Sequence, residues 1–144
     1  MYINSLDVHL IPASKINWDF ILSLRNDFYN NFYQQTRPLT KDEHYDYLEL
    51  QKCNPKFHHW VITFNDEIVG YVRLLDFDVG IMLKKNFQNK GIASYALELV
   101  EKEAKLLGTS KLLAKIHVDN ISSHKIFEKN NYIMKFYLLE KDLK

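Results

Sequence analysis

The stretch NFQNKGIASYALELVEKEAKLLG, Asn86 to Gly108, decides how the rest of the chain is read. It sets Gln-Asn-Lys-Gly-Ile-Ala, polar residues around a lone glycine, before about four turns of amphipathic helix. The apolar positions of that helix are Ile92, Ala96, Leu99, Val100, Ala104 and Leu107, and Gly108 stands where a C′ glycine ends a helix. A helix start leaves backbone N–H groups without intrahelical partners and carries the positive end of the helix dipole. Gly91 is therefore either a plain turn or a cradle where an anion meets the backbone with no Cβ in the way.

Working outward, VGIML (Val79 to Leu83) reads as a strand entering this segment. Before it, HWVITF and IVGYVRLL are strand-like and joined by Asn65-Asp66-Glu67, a hairpin signal, with the turn DFD following. Behind it, KLLAKIHV alternates, placing Leu112, Ala114, Ile116 and Val118 on one face and Lys111, Lys115 and His117 on the other. Asn120 caps a short helix through Asn130, and YIMKFYLLE reads as a last strand. Toward the N-terminus, Leu6, Val8 and Leu10 suggest a strand ending before Pro12, and Ile16 to Tyr29 carry apolar groups at helical spacing. NNFYQQTRP reads as a loop, and Thr40 with Glu43 forms a capping box for a second helix. The order β-α-α-β-β-β-α-β-α-β predicts an α/β (α+β mixed) fold, one mixed sheet with helices on its faces, in a single domain over residues 1–144.

The 144 residues suit one domain with a sizeable core. Nineteen basic against eighteen acidic residues leave a formal charge of +1, which offers no electrostatic reason for a nucleic-acid or anionic-membrane partner. Cys53 is the only cysteine, so neither an intramolecular disulfide nor a multi-cysteine metal site is available. His58 and His59 are adjacent on a strand and point to opposite faces, so no metal is assigned to them. MYINSLDVHLIPAS lacks the features of a signal peptide, and no segment reaches the ~20 apolar residues of a membrane span. A cytoplasmic protein is the expectation.

The glycine segment lacks the Gly-Lys-Ser/Thr ending of a P-loop and the three glycines of a dinucleotide fingerprint. Its setting is more informative. A strand, then Gln88-x-x-Gly91-x-Ala93, a long helix, another strand and Asn120-x-x-Ser123 opening a further helix together resemble the GNAT superfamily of acyl-CoA-dependent N-acyltransferases. That family's pyrophosphate loop is Gln/Arg-x-x-Gly-x-Gly/Ala, and its later signature is similar to DNISSHKIFEKNNYI here. The motifs cover about residues 60 to 139, and element order covers the remainder.

The resemblance implies a GNAT-like domain with a splayed central sheet, acetyl-CoA as co-substrate, no metal, and acetyl transfer to a primary amine by direct attack on the thioester. It implies a pyrophosphate on the amides of Gln88, Asn89, Lys90, Gly91, Ile92, Ala93 and Ser94. The pantetheine arm would run beside the Val79–Leu83 strand, bonded to backbone at Met82 and Leu83, with Asn120 and Ser123 holding it from the second motif. The Leu83 N–H is the expected oxyanion donor. Asp78 and His117 are the candidate bases; the turn reading of DFD and a structural role for His117 stand beside them. Many family members carry a tyrosine as general acid seven residues after the motif asparagine, where this chain has Phe127. A thiol with a pKa near ~8.5 still leaves without protonation.

The acceptor falls to the first two helices. Leu24-Arg25-Asn26 resembles a segment of the subgroup holding nucleotide-linked amino-sugar and ribosomal-protein N-terminus acetyltransferases, which makes Arg25 and Asn26 the candidate acceptor-binding residues. A nucleotide-linked amino sugar is preferred, because no acidic groove for a basic peptide is evident in the sequence. A protein N-terminus or lysine, and a non-catalytic CoA-binding module, are the alternatives. A small-molecule amine is the expected partner, with no nucleic acid or membrane, for a monomer or homodimer.

Overall fold

Asn65 and Asp66, with φ of 49° and 65°, close a two-residue turn of the type that matches strand twist, and this hairpin centres the sheet. The structure, a computed structural model, describes residues 7–31 and 35–144; Leu6, Phe32 and Tyr33 lie outside the described residues. The chain runs β1 (Val8–Pro12), α1 (Trp18–Asp27), α2 (Lys41–Gln51), β2 (Phe57–Phe64), β3 (Glu67–Leu75), β4 (Asp78–Leu83), α3 (Ile92–Leu106) and α4 (Ile121–Lys129). The strands form an antiparallel sheet in the order β1-β2-β3-β4.

Alternation along the strands divides the core between the two faces. One face carries Ile62, Val69, Val72, Leu74, Val79 and Leu83 against α3 and α4, with Ile92, Leu97, Val100 and Phe127 supplied by the helices. The other carries Phe57, Tyr71 and Met82 against Trp18, Ile21 and Leu24 of α1 and Leu48 of α2. At its C-terminal end α3 closes as expected: Gly108 sits at φ 79° and the Thr109 N–H donates to the Ala104 carbonyl.

The expected strand over 111–118 is reduced to a single parallel bridge between Asp78 and Leu113. There the Leu113 N–H donates to the Phe77 carbonyl and the Val79 N–H to the Leu113 carbonyl, both at 2.8 Å. Beyond Leu113 the two backbones part. Leu112, Ala114 and Ile116 still pack on the core, so the alternation is met as burial without a ladder. Val118, expected on the same face, is 89% exposed. YIMKFYLLE forms no strand either: its partner would be the segment that has left the sheet, and an extended chain without a ladder gains nothing from regularity. The parallel part of the mixed sheet is thus one bridge, while the helix-flanked α/β architecture stands.

The start of α2 is the most locally determined element. Thr40 Oγ1 accepts from the Glu43 N–H at 3.2 Å, and Glu43 Oε1 accepts from the Thr40 N–H at 3.2 Å. Arg37 holds the same carboxylate through two bonds of 2.9 and 2.8 Å, keeping the Glu43 carboxyl at about 2. Thr40→Ala removes the cap, and we expect a loss of about 1 kcal/mol, read from the urea midpoint at unchanged slope.

Candidate functional site

Val79 directs its N–H away from β3, whereas the Lys84 N–H donates to the Val69 carbonyl on β3 at 2.9 Å. Backbone groups alternate in direction along a strand, so those of Ile81 and Leu83 also face the edge away from β3. Since the 111–118 segment diverges after Leu113, that edge is left open. Met82, expected to share the edge role, pairs with Tyr71 and turns its backbone toward β3; Ile81 stands at the edge in its place. Gln88 Nε2 donates to the Leu83 carbonyl at 3.1 Å, which ties the next loop back to the strand end.

That loop delivers the chain into α3 through two left-handed residues, Asn89 at φ 61° and Gly91 at φ 86°. Gly91 is the N-cap, so α3 has no side-chain cap on its first amides. A Cβ built on Gly91 meets nothing within 4 Å, so the space over the helix mouth is open. Lys90 reaches over the Phe87 ring, 5.8 Å from its centroid, and does not line the cavity. Ser94 is buried and accepts at Oγ from Asn130 Nδ2 at 3.1 Å, a bond that pins the end of α4 to the start of α3. Asn120 caps α4, its Oδ1 accepting from the Ser123 N–H at 3.3 Å.

A cavity of about 1150 Å³ wraps the open edge of β4 and joins both faces of the sheet. On one side it is lined by Gly91 to Ser94, Asn120 and Ser123, and on the other by Arg25, Tyr47, Tyr71, Arg73 and Asp78. Five cationic side chains, Arg25, Arg73, Lys115, Lys125 and Lys129, line it against two carboxylates, Asp76 and Asp78. Lys125 and Lys129 went unnoticed in the sequence. On α4 the positions 122, 125, 126 and 129 share one face, and all of them line the cavity. His124 and Glu128, four residues apart, pair with each other at 3.4 Å. The helical spacing of the lysines was the available signal.

On the other side, Asp78 Oδ2 accepts from Arg73 Nη2 at 3.0 Å across the β3–β4 ladder, while Asp78 Oδ1 is buried without a hydrogen-bond partner. Gly80 gives that guanidinium room: a Cβ there would sit 3.0 Å from Arg73 Nη2. Asp76 occupies the turn at φ 57°, so of the DFD carboxylates only Asp78 is on a strand. Asn26 does not line the cavity; its amide clamps Leu39, donating to the carbonyl at 2.9 Å and accepting from the N–H at 2.8 Å. His117 lies in a turn outside the cavity, where its Nδ1 accepts from the Asp119 N–H at 3.2 Å. Phe127 is buried with Tyr132 edge-on to it, ring centroids 4.8 Å apart.

The acetyltransferase (GNAT) family model matches residues 18–132. The chain belongs to that family. It is an enzyme of acyl transfer, carrying a GNAT acetyltransferase domain. No curated protein matches the sequence. Among solved structures, the chain is similar to an N-acetyltransferase from Staphylococcus aureus Mu50, at 26% identity and a TM-score of 0.73, covering 86% of this chain and 82% of that one. It is similar to a spermidine N-acetyltransferase from Vibrio cholerae, in complex with CoA and spermine, at 16% identity and a TM-score of 0.82, covering 94% and 86%. It is also similar to a ribosomal L7/L12 α-N-protein acetyltransferase in complex with CoA, at 16% identity and a TM-score of 0.75, covering 90% and 82%. The last two likenesses establish the fold, and their acceptors are chemically unrelated. No helix among the described residues is long and apolar enough to cross a membrane.

Two histidines, His44 on the cavity wall and His59 outside the lining, have lowered pKa values. Burial lowers His44, which bonds the Trp18 carbonyl at 2.9 Å, and burial lowers His59 to about 4, beside the Tyr71 hydroxyl at 2.9 Å. The folded chain holds both neutral, so the unfolded chain takes up protons first as pH falls. Stability is therefore complete above the ordinary value of about 6.5 and declines as pH drops toward about 4. We expect the urea midpoint to fall across this window and His59→Gln to flatten the fall; a variant with the wild-type pH slope would exclude His59 as its source.

Proposed function

We propose that this enzyme transfers acetyl from acetyl-CoA to the primary amine of a small molecule. The observation that carries the reading is the uncapped mouth of α3, with Gly91 at its cap, opening into the same cavity as the unpaired edge of β4. When bound, acetyl-CoA supplies an activated thioester, from which an N–C bond forms at the amine as the C–S bond breaks and the thiolate leaves. The residues fit that molecule in charge and shape. Amides from Asn89 to Ser94 receive a pyrophosphate where no Cβ intrudes, and Lys125 and Lys129 add cationic charge on the facing helix. Gln88 shapes the loop through Leu83, and Asn120 and Ser123 stand where the second motif would hold the pantetheine arm.

The edge groups of Ile81 and Leu83 offer that arm a strand-like partner, and the Leu83 N–H is the donor for charge developing on the acyl oxygen. Asp78 is the base of this reading, because its free Oδ1 lies on the acceptor side of the cavity and His117 lies outside it. No acid is needed at Phe127, since a thiolate near ~8.5 departs unprotonated. On the acceptor side Arg25 binds the substrate and Asn26 acts through the Leu39 clamp. A nucleotide-linked amino sugar remains our preferred acceptor over a protein N-terminus, since Tyr47 and Phe28 line the cavity together with Arg25. The reading suits a cytoplasmic monomer or homodimer. Phe127 favours a second reading, a CoA-binding module without turnover, and thiol release across a panel of amines separates the two.

Calorimetry with CoA tests the cradle. Asp and Asn both tolerate the left-handed conformation better than most residues. We expect Gly91→Asp to weaken binding at least about tenfold and Gly91→Asn, without the charge, distinctly less. Equal affinities for wild type and Gly91→Asp would remove the cradle. Lys125→Gln with Lys129→Gln should weaken CoA binding by about tenfold at low salt, with the deficit shrinking as ionic strength rises. A deficit independent of salt would show that these lysines do not act as charges.

A further inference from the structure

The chain has three arginines, and they are not equivalent. Arg37 is exposed and doubly bonded to Glu43, and Arg73 is paired with Asp78. Arg25, in the last turn of α1, has no carboxylate among the described residues within ion-pair distance. Its side-chain partners among the described residues are Gln35 Oε1, at a long 3.4 Å from Nη2, and the Tyr47 ring, 5.5 Å from the guanidinium carbon. A guanidinium presents five N–H donors in a planar fork suited to carboxylate or phosphate. Among the described residues most of that fork has no partner, and the side chain is partly buried and lines the cavity.

The surroundings do not supply the missing anion. Tyr47 and Tyr71 present phenol hydroxyls, His44 and Arg73 bring no negative charge, and Asp78 is already committed to Arg73 through Oδ2. Asp76, the other carboxylate of the lining, is exposed on its turn and forms no ion pair with Arg25. Burial pulls the Arg25 pKa below its usual value, in keeping with a cation that has lost water without gaining a counter-ion. The other unsatisfied group on this side has the opposite sign: Asp78 Oδ1 is buried and accepts nothing. One cavity thus holds an unmatched cation and an unmatched carboxylate oxygen. A molecule with an ammonium and an anionic group satisfies both. A polyamine matches Asp78 and leaves several of its own charges facing Arg25 and Arg73.

Resting on the acetyltransferase reading above, we propose that the acceptor is an amine that carries its own carboxylate or phosphate ester, seated on Arg25, and that polyamines are poor acceptors. The class includes nucleotide-linked amino sugars and extends to amino acids and simple aminoalkyl phosphates.

The test uses matched acceptors on the full chain: glucosamine against glucosamine 6-phosphate, ethanolamine against phosphoethanolamine, and spermidine. Binding to CoA-saturated protein is measured first by calorimetry, then kcat/KM by thiol release. We expect the phosphorylated member of each pair to lead by about tenfold or more, the size of a charge-assisted contact, with spermidine last. Arg25→Gln should abolish the preference, and Arg25→Lys should retain part of it. The proposal is overturned if spermidine leads, if the pairs bind alike, or if Arg25→Gln lowers both members of a pair equally. Failure to bind CoA at all would instead overturn the acetyltransferase reading, so the two failures are distinguishable.

Discussion

The structure turns on where the backbone of β4 finds its partners. Through Val69–Lys84 and the pairs that follow, one edge of β4 is locked to β3. The opposite edge is held at Val79 by Leu113 and nowhere further along, because the next segment departs. An unpaired N–H or C=O in a covered position costs free energy comparable to a lost hydrogen bond. Under the proposed reading, the edge groups of Ile81 and Leu83 form half of a ladder that the pantetheine arm completes. The same divergence opens the cavity between β4 and α4, so one topological event yields both the edge and the space beside it.

Position along the sheet normal then sorts the chemistry. Side chains of the even-numbered β4 residues Asp78 and Met82 point to the α1 and α2 face, while Val79, Ile81 and Leu83 point to the α3 and α4 face. The first amides of α3 and the lysines of α4 line the cavity on the second face, and Arg25, Arg73 and Asp78 line it on the first. The strand between them is a single layer thick, so groups from both sides converge at its edge. Ser94 and Asn130 brace one side and Asn26 with Leu39 the other, which keeps both walls in register with β4.

What was legible in the sequence was what short-range physics writes there. The Thr40–Glu43 box, the Asn65-Asp66 turn, the Gly108 stop and the Asn120 cap each depend on residues within four positions, and each formed as read. Gly91 at the mouth of α3 was legible for the same reason, whereas the choice between a turn and a cradle there was not local and rested on the resemblance carried by the flanking elements. The strands over 111–118 and 132–140 were misread because alternation reports burial, and a strand also needs a partner. Leu112, Ala114 and Ile116 are partly buried against the core without one. The Arg73–Asp78 pair, the Asn26 clamp and the distinction among the three arginines were beyond reach, since each is a contact across the fold.

Phe127 completes the chemical picture through what stands next to it. The nearest phenol, Tyr132, meets the Phe127 ring edge-on, and burial together with Glu101 on the body of α3 raises its pKa to about 12. Its hydroxyl is buried without a partner and does not line the cavity. A proton held that tightly and pointed elsewhere does not reach a departing sulfur. At position 127 itself the cavity lining is an apolar ring. Under the proposed reaction the thiolate must leave by its own stability, aided by the cationic lining that surrounds it. Positive charge, carried by Lys125, Lys129 and the α3 amides, would then serve both to hold the incoming molecule and to stabilise the anion that departs.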